Sequence, residues 1–278
     1  MREYCDLHVH SVYSDGTCTP RQILEEARKL GLGAVALTDH NTLAGIPEFL
    51  EIAESTGVRA VPGVEISTAW KDKELHIVAL LRDTGCIPAL TALLEKTRQD
   101  KADCMGHLVE ALEADGYLLD RSVLQVSHAG GSINRAHIAA ELLRRGYVQS
   151  AGQAFDTILS PEGKYYKPPQ RLDALQTVAY LKQLGCVAVL AHPLVSLSPG
   201  ELEAFLEGGR AAGLDAMETR YSTYSPEQET LCGTLARRFA LKESGGSDFH
   251  GSNKPDIRLA TGRGGLRVPL EFLEKLMQ

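Results

Sequence analysis

The feature that most constrains the fold is a repeated alternation of short apolar segments with helical patterns. Thr19 followed by Pro20 is typical of a helix start, and Gly31 is typical of its end. In the first part of the chain, the predicted strands are Tyr4–Val9, Ala34–Leu37, Val58–Ile66 and Leu75–Leu81. Because strands that alternate with helices usually lie side by side and parallel, the pattern predicts a parallel α/β sheet or barrel.

The alternation is interrupted in the middle of the chain. From about Pro88 to residue 170 the sequence has helical stretches, among them Ala89–Ala114 and Arg135–Arg145, and no clear strand. The alternation then resumes with predicted strands at Cys186–Ala191, Ala216–Thr219 and Leu241–Gly245. We therefore predict one α/β barrel made of residues 1–88 and 171–278, with residues 89–170 as a helical insertion.

Charge and composition exclude several classes of protein. The net charge of −7 argues against a binder of long duplex DNA, although it permits a nucleotide at a locally cationic or metal-containing site. The start MREYCDLHVH lacks the apolar core of a signal peptide, and no apolar stretch reaches 18 residues, so we expect no membrane association. The six cysteines contain no CxxC pair, which favours free thiols and a cytoplasmic protein. No feature indicates an obligate protein partner.

Histidines and acids concentrate at the carboxyl ends of predicted strands, where α/β barrels build their active sites. His8 and His10 lie on the same side of a strand because side chains alternate, and Asp248 and His250 repeat this spacing. His76 is the exception, since it lies at the start of its predicted strand. The candidate set is His8, His10, Asp15, His40, Glu65, His76, His192, Asp248 and His250.

Each of these residues has an ordinary structural explanation when it is taken alone, as a core histidine, a turn residue or a helix cap. Their joint placement at element ends favours a metal site. Imidazole and carboxylate together suit Zn²⁺, Mn²⁺ or Fe²⁺. The set contains no cysteine, which argues against a structural zinc site.

Six sequence runs carry a resemblance to a known family. The runs DLHVHSVYSDG, ALTDHNT, PGVEIS, LHIVAL, LAHP and GGSDFHG resemble the PHP family of phosphoesterases. The match covers residues 4–82 and 172–262. The resemblance implies a distorted, TIM-like (β/α)₇ barrel with two or three divalent metal ions, of which we expect Mn²⁺ first, with Zn²⁺ or Fe²⁺ as alternatives.

The resemblance also implies a role for each candidate residue. The first ion would bind His8, His10, Glu65 and Asp248. The second would bind Glu65, as a bridge, with His76 and His192. The third would bind Asp15, His40 and His250. Glu65, Asp248 and His192 are the expected catalytic residues. One departure is Leu194 after Pro193, where relatives often have glycine, and this change affects the rim of the site rather than the ligands.

Within the insertion, NRAHIAAELLRRGYV and LSPEGKYYKP resemble the segment that caps the substrate in the nucleotide-phosphatase subgroup. By this resemblance, the candidates for binding substrate phosphate are Arg135, His137, Lys164 and Lys167. Tyr165 and Tyr166 would stack on a base. The alternative is that Arg135 lies on a solvated helix face and that Lys164 is an ordinary loop residue.

The resemblance implies an enzyme that removes the 3′-phosphate from nucleoside 3′,5′-bisphosphates and leaves 5′-monophosphates. The main alternative is 5′→3′ exonuclease action on short RNA or DNA oligonucleotides. Weaker alternatives are a histidinol phosphate phosphatase, a C–N-cleaving amidohydrolase and a non-catalytic metal-binding regulatory module. A small nucleotide or short oligonucleotide is thus the expected partner.

Overall fold

The computed structural model describes residues 3–126, 133, 135–169 and 171–278. These residues form two compact units. The barrel unit comprises the chain up to Leu94 together with Arg171–Gln278, and the insertion unit comprises Glu95–Gln170. Asn134, which begins one of the runs resembling a substrate cap, lies outside the described residues.

Strands and helices alternate along the barrel unit, and helices make up the described regular structure of the insertion unit. The strands are β1 (Tyr4–Asp6), β2 (Ala34–Leu37), β3 (Arg59–Trp70), β4 (Lys73–Leu80), β5 (Leu172–Asp173), β6 (Val187–Leu190), β7 (Ala216–Tyr221), β8 (Lys242–Gly246) and β9 (Val268–Pro269). The helices are α1 (Pro20–Lys29), α2 (Ile46–Thr56), α3 (Ile87–Ala114), α4 (Arg121–Val126), α5 (Arg135–Arg144), α6 (Ala151–Asp156), α7 (Ala174–Gln183), α8 (Pro193–Ser196), α9 (Pro199–Ala212), α10 (Pro226–Arg238) and α11 (Leu270–Leu276).

Local sequence signals explain where the helices begin and end. In α1, the Thr19 side chain accepts a hydrogen bond from the backbone of Gln22, whose own side chain bonds back to Thr19. The helix ends at Leu30 and Gly31, and Gly31 adopts a φ of +72°. Its buried face, which includes Ile23, packs toward the sheet. The start and end predicted for this helix are confirmed.

The strands form one sheet in the order β8-β7-β6-β4-β3-β2-β1-β9, and β5 adds to β3. β1, β2 and β3 are mutually parallel, as are β6, β7 and β8, but β4 runs antiparallel to both β3 and β6. The expectation of an all-parallel arrangement is therefore wrong at β4. The physical reason is the two-residue turn at Lys71 and Asp72, in which Lys71 has a φ of +55°. Such a turn can join only antiparallel strands, since a parallel crossover needs a dozen or more residues.

The sheet curls until its first and last parallel strands meet. The Leu7 N–H donates to the Gly245 carbonyl at 3.2 Å, the Asp248 N–H donates to the His8 carbonyl at 2.8 Å, and Val9 pairs with Phe249. The result is a nearly closed barrel of eight strands, which confirms the distorted α/β barrel predicted from the sequence.

Apolar side chains of the strands divide between two clusters. In β2, Ala34 and Ala36 belong to one cluster, to which α11 contributes Leu273 and Leu276. Alternate residues such as Val35 belong to the second cluster, which includes the buried faces of α1 and α2. Alternation along each strand thus fills both sides of the sheet.

The insertion unit has an apolar cluster of its own, in which Leu112, Ile138 and Leu142 are fully buried. Next to it, the Glu141 carboxylate accepts hydrogen bonds from Arg144 and Arg145 at 2.6–2.9 Å. The described residues between 95 and 169 contain helices and no strand, in agreement with a helical insertion. Over the described parts of the chain, no helix combines the length and apolar character needed to cross a lipid bilayer.

Candidate metal centre

All nine residues of the sequence-derived set meet in the barrel unit. The loops that follow β1, β2, β6 and β8 carry most of them, and Glu65 lies within β3. His76 meets them because β4 is antiparallel: its first residues lie beside the last residues of β3, and His76 pairs with Ser67. The antiparallel direction of β4 therefore explains why His76 joins the cluster although it lies near the start of its strand.

The carboxylate of Glu65 lies at the centre of this cluster and is fully buried. Five imidazole nitrogens surround its two oxygens. Those around Oε2 are His8 Nε2 at 3.1 Å, His10 Nε2 at 3.2 Å and His40 Nδ1 at 3.0 Å. Those around Oε1 are His76 Nδ1 at 2.8 Å and His192 Nε2 at 3.0 Å. One carboxylate therefore links histidines from four segments of the chain.

Several of these buried polar atoms have no hydrogen-bond partner. They are Nε2 of His8, both ring nitrogens of His10, Nδ1 of His40 and Oε2 of Glu65. Leaving buried polar atoms unsatisfied is costly, and so many at one point require an explanation. Ligand atoms about 2.1 Å from one octahedral ion lie about 3 Å from each other, which matches the spacing around Oε2. The donor set and its geometry therefore fit divalent cations.

Among the residues that the structure describes, three overlapping groups have donor atoms within 4.8 Å of one another. They are His8, His10, Glu65 and Asp248; then His10, Asp15, His40 and His250; and then His40, Glu65 and His76. Glu65, His10 and His40 each belong to two groups. Shared donors of this kind are typical of a centre that holds more than one ion.

The electrostatic balance of the cluster follows from burial and mutual attraction. Burial alone would raise the pKa of Glu65, but His8 and the hydrogen-bonded histidines hold that pKa well below its usual value. Burial would lower the pKa of His76, yet its contacts with Glu65 and Glu74 raise the pKa to about 9. For His40, burial prevails over the attraction of Glu65 and lowers the pKa to about 4. Cations that bind here must replace protons on part of the set.

Glu218, Tyr221 and Lys254 are among the contacting residues that sequence reasoning did not find. Glu218, on β7, has one oxygen 2.8 Å from His8 Nδ1 and accepts the backbone N–H of His192 with the other at 2.7 Å. Tyr221 and Lys254 each donate to Oδ2 of Asp248 at 2.7 Å.

One sequence signal could have identified Glu218. It is the one acid in the strand predicted at Ala216–Thr219, and a carboxylate buried within a sheet is costly unless it is paired. Nothing in the sequence around Lys254 marks its contact with Asp248, because that contact depends on how the loop after β8 folds back.

Of the insertion residues predicted to bind substrate, Arg135, Lys164 and Lys167 have contacts within their own unit. The Arg135 guanidinium lies over the Tyr166 ring at 4.4 Å and donates to the Leu159 carbonyl at 3.4 Å. Lys164 pairs with Asp115, which also accepts from the Tyr165 hydroxyl at 2.8 Å. Lys167 donates to the Gly163 carbonyl at 3.0 Å, and His137 is half-buried on α5. The structure thus brings Arg135 against the loop that carries the two lysines. Tyr166 as a residue is only 7% exposed, and Arg135 already occupies the ring face on which a base would stack.

Known proteins resemble this chain over most of its length. The family model described as the PHP domain matches residues 6–165. The 5′-3′ exoribonuclease of Haemophilus influenzae is 32% identical over 254 residues, which cover 90% of this chain and 91% of that protein. The 3′,5′-nucleoside bisphosphate phosphatase of Chromobacterium violaceum is 30% identical over 248 residues, which cover 88% and 86%. A solved structure from Bifidobacterium adolescentis, described as a candidate metal-dependent phosphoesterase, has 33% identity and a TM-score of 0.73, with 98% of this chain and 95% of that one covered.

Proposed function

Because the chain belongs to the PHP family of metal-dependent phosphoesterases, we propose that it removes the 3′-phosphate from nucleoside 3′,5′-bisphosphates and leaves 5′-monophosphates. The observation that carries this proposal is the meeting of five imidazole nitrogens at the buried carboxylate of Glu65. The relative from Chromobacterium violaceum is named for the same reaction, which supports the choice of substrate class.

A second candidate activity is 5′→3′ exonuclease action on short oligonucleotides. The relative from Haemophilus influenzae is named an exoribonuclease, which favours this alternative. The two reactions break the same kind of P–O bond and differ only in the group that leaves with its oxygen. The complete set of nine metal-binding candidates makes a non-catalytic regulatory module the weaker explanation.

We assign the ligands of up to three ions, with Mn²⁺ as the preferred metal, from the donors that lie together. The first set is His8, His10, Glu65 and Asp248. The second is Glu65, His76 and His192. The third is Asp15, His40 and His250. The first set coincides with one of the three close groups, and the third set lies within another. The mixture of carboxylate and imidazole donors without thiolates supports Mn²⁺, and it also suits Zn²⁺ or Fe²⁺.

Hydrogen bonds within the protein fix the orientation of the carboxylates of Asp248 and Glu65. When bound, the ions would supply an activated water at neutral pH and offset the negative charge of the phosphate. Asp248 keeps its Oδ1 3.2 Å from His10 Nε2, because Tyr221 and Lys254 hold its other oxygen. His76 holds Glu65 through Oε1, so that Oε2 faces the nitrogens of His8, His10 and His40 that have no hydrogen-bond partner.

Unequal burial of the ligands defines the side from which the substrate arrives. The side chains of His8 and His10 are fully buried, whereas those of His40 and His76 are 25% and 20% exposed and that of Asp15 is 56% exposed. We therefore infer that the phosphate reaches the centre from the side of His40 and Asp15. The buried side can serve only to hold the ions in place.

We further propose that Arg135, His137, Lys164 and Lys167 bind the second phosphate of the substrate. Arg135 lies against Tyr166 in the loop that carries both lysines, which supports a common role. A guanidinium has five donors, and its stacking on a ring leaves most of them free for a phosphate. Lys164 would have to exchange its present partner, Asp115, for the substrate. The burial of Tyr166 favours a supporting contact with Arg135 over stacking on a base.

A phosphate-release screen tests the proposed activity. Metal-free protein would be supplied with Mn²⁺ and offered nucleoside 3′,5′-bisphosphates, nucleoside monophosphates and short oligonucleotides. We expect phosphate release to be fastest from the bisphosphates. Release of nucleotides from oligonucleotides at a higher kcat/KM would favour the exonuclease, and inactivity on all three classes would contradict a phosphoesterase of nucleotides.

The second-phosphate proposal is tested by Arg135→Ala, with Arg98→Ala as the matched control. Arg98 is a largely exposed arginine of the insertion unit that pairs with Glu95. Loss of a charge-assisted contact should lower kcat/KM for a bisphosphate by about 10²-fold, while an aryl phosphate, which has no second phosphate, should be unaffected. An equal loss on both substrates would show that Arg135 supports the fold instead.

A further inference from the structure

We propose that Glu218 is a positioning residue that fixes two site histidines, His8 and His192, in the orientation needed for metal binding. This inference rests on the metal centre proposed above. Glu218 lies on β7, outside the nine candidate ligands, and its carboxylate is 1% exposed. Both of its oxygens are directed to residues of the site.

The first contact determines which nitrogen of His8 is available. The Glu218 Oε1 atom lies 2.8 Å from His8 Nδ1. A carboxylate oxygen can only accept, so Nδ1 must carry the hydrogen. The lone pair of a neutral ring is then on Nε2, which is buried without a hydrogen-bond partner and lies 3.1 Å from Oε2 of Glu65. Glu218 thus selects the tautomer of His8 that can bind an ion.

The second contact stabilises an unusual backbone conformation at His192. This residue has φ +27° and ψ 52°, in a region that side chains other than glycine rarely adopt. The Glu218 Oε2 atom accepts the His192 N–H at 2.7 Å. In this conformation the imidazole of His192 reaches Glu65, with Nε2 3.0 Å from Oε1. The same carboxylate therefore orients one histidine through its ring and the other through its backbone.

The burial of Glu218 indicates that these contacts, rather than packing, explain a carboxylate at this position. Its neighbours Met217 and Thr219 are buried in the same strand, where an apolar side chain would avoid the cost of desolvating a charge. Residues that orient histidine ligands typically change metal affinity by 10- to 100-fold when they are replaced, so about this loss is expected here.

The test measures Mn²⁺ affinity of the metal-free protein by calorimetry, with Glu218→Gln compared with wild type. The glutamine amide has one acceptor end and one donor end. If its oxygen accepts the His192 N–H, its NH₂ group faces His8 Nδ1 and bonds to it only when the His8 hydrogen moves to Nε2, the nitrogen that should bind the ion. The matched control is Glu243→Gln, since Glu243 is a carboxylate of the adjacent strand β8 that accepts from Thr219 at 2.7 Å. We expect Mn²⁺ affinity to fall about 10- to 100-fold in Glu218→Gln and to be unchanged in Glu243→Gln.

Thermal unfolding of the metal-free variants separates positioning from stability. If Glu218 only supported the fold, Glu218→Gln would melt earlier, but the folded variant would bind Mn²⁺ as tightly as wild type, and that result would overturn the inference. Wild-type protein that binds no Mn²⁺ would instead overturn the proposed metal centre.

Should Glu218→Gln fail to fold, wild-type protein loaded with diamagnetic Zn²⁺ answers the question by ¹⁵N NMR. A proton on Nδ1 of His8 is expected, and a proton on Nε2 would overturn the inference.

Discussion

Replacing Glu65 with glutamine removes one negative charge from the point where five imidazole nitrogens meet. The nearest of these nitrogens lie 2.8–3.2 Å from its oxygens, and ions bound by the same histidines would lie at least as close. At about 3 Å and an effective dielectric constant of about 20, one pair of unit charges interacts by about 5 kcal/mol. The amide oxygen can still bind a cation, and relaxation offsets part of the loss. We therefore expect a net cost of about 3 kcal/mol, which is about 10²-fold in metal affinity.

The assay compares Glu65→Gln with wild type in Mn²⁺ binding by calorimetry and in phosphate release at saturating metal. The matched control is Glu74→Gln. The Glu74 side chain is 50% exposed and its carboxylate lies 3.4 Å from Nε2 of His76. Because water screens this exposed pair, the control should keep its metal affinity within about threefold.

The reasoning would be refuted by a folded Glu65→Gln protein that binds Mn²⁺ as tightly as wild type. It would be refuted equally if Glu74→Gln lost as much Mn²⁺ affinity as Glu65→Gln, because an exposed carboxylate would then contribute as much to metal binding as the buried one. A circular dichroism spectrum of each variant establishes that both remain folded.

Three further predictions concern the barrel seam, acid stability and oxidation. A Cβ at Gly246 would lie 2.3 Å from the Cβ of His8, so Gly246→Ala should cost about 3 kcal/mol in thermal unfolding; an unchanged Tm would contradict it. Hydrogen bonds from Arg144 and Arg145 lower the pKa of Glu141 to about 2, against an opposing effect of burial. The ionised Glu141 therefore contributes about 1 kcal/mol, after screening, to the free energy of unfolding above its unfolded pKa of about 4.5, and this contribution is lost as the pH falls toward 2. In Glu141→Gln the free energy of unfolding should depend less on pH between 4.5 and 2 than in wild type. The same pH dependence in both proteins would contradict the prediction. Because the Sγ atoms of Cys86 and Cys186 are 3.5 Å apart, oxidised glutathione should convert the two thiols to an intramolecular disulfide, seen as a mass loss of about 2 Da that Cys86→Ser abolishes.

The sequence predicted most strands and helices because their local patterns are strong. Strand β2 has the bounds Ala34–Leu37 that were predicted, and α1 begins after Thr19 as its cap indicates. The direction of β4 was not predictable from its own residues, because an apolar strand has the same pattern whether its neighbours are parallel or antiparallel. The two-turn helix α11 gives too short a pattern to identify, although it buries Leu273 and Leu276.

In the site, too, the residues marked by local sequence patterns were predicted, and those that depend on long-range contacts were not. Histidines and acids at strand ends are conspicuous in sequence, since few structural roles require them there. Glu218, Tyr221 and Lys254 depend on where β7 and the loop after β8 lie relative to His8 and Asp248, which only the closed barrel determines.

The antiparallel strand is also what completes the cluster. Glu65 and His76 are separated by 11 residues, yet the tight hairpin of β3 and β4 places their side chains 2.8 Å apart. A parallel β4 would carry His76 at the opposite end of the barrel from Glu65.

The hairpin of β3 and β4 also pairs with the segment that follows the insertion. β5 pairs with Thr68 and Ala69 of β3, and the preceding residue, Arg171, binds Glu74 at 3.0 Å. Glu74 in turn contacts Nε2 of His76 at 3.4 Å. The segment that follows the insertion is therefore joined through Arg171 and Glu74 to a histidine of the site.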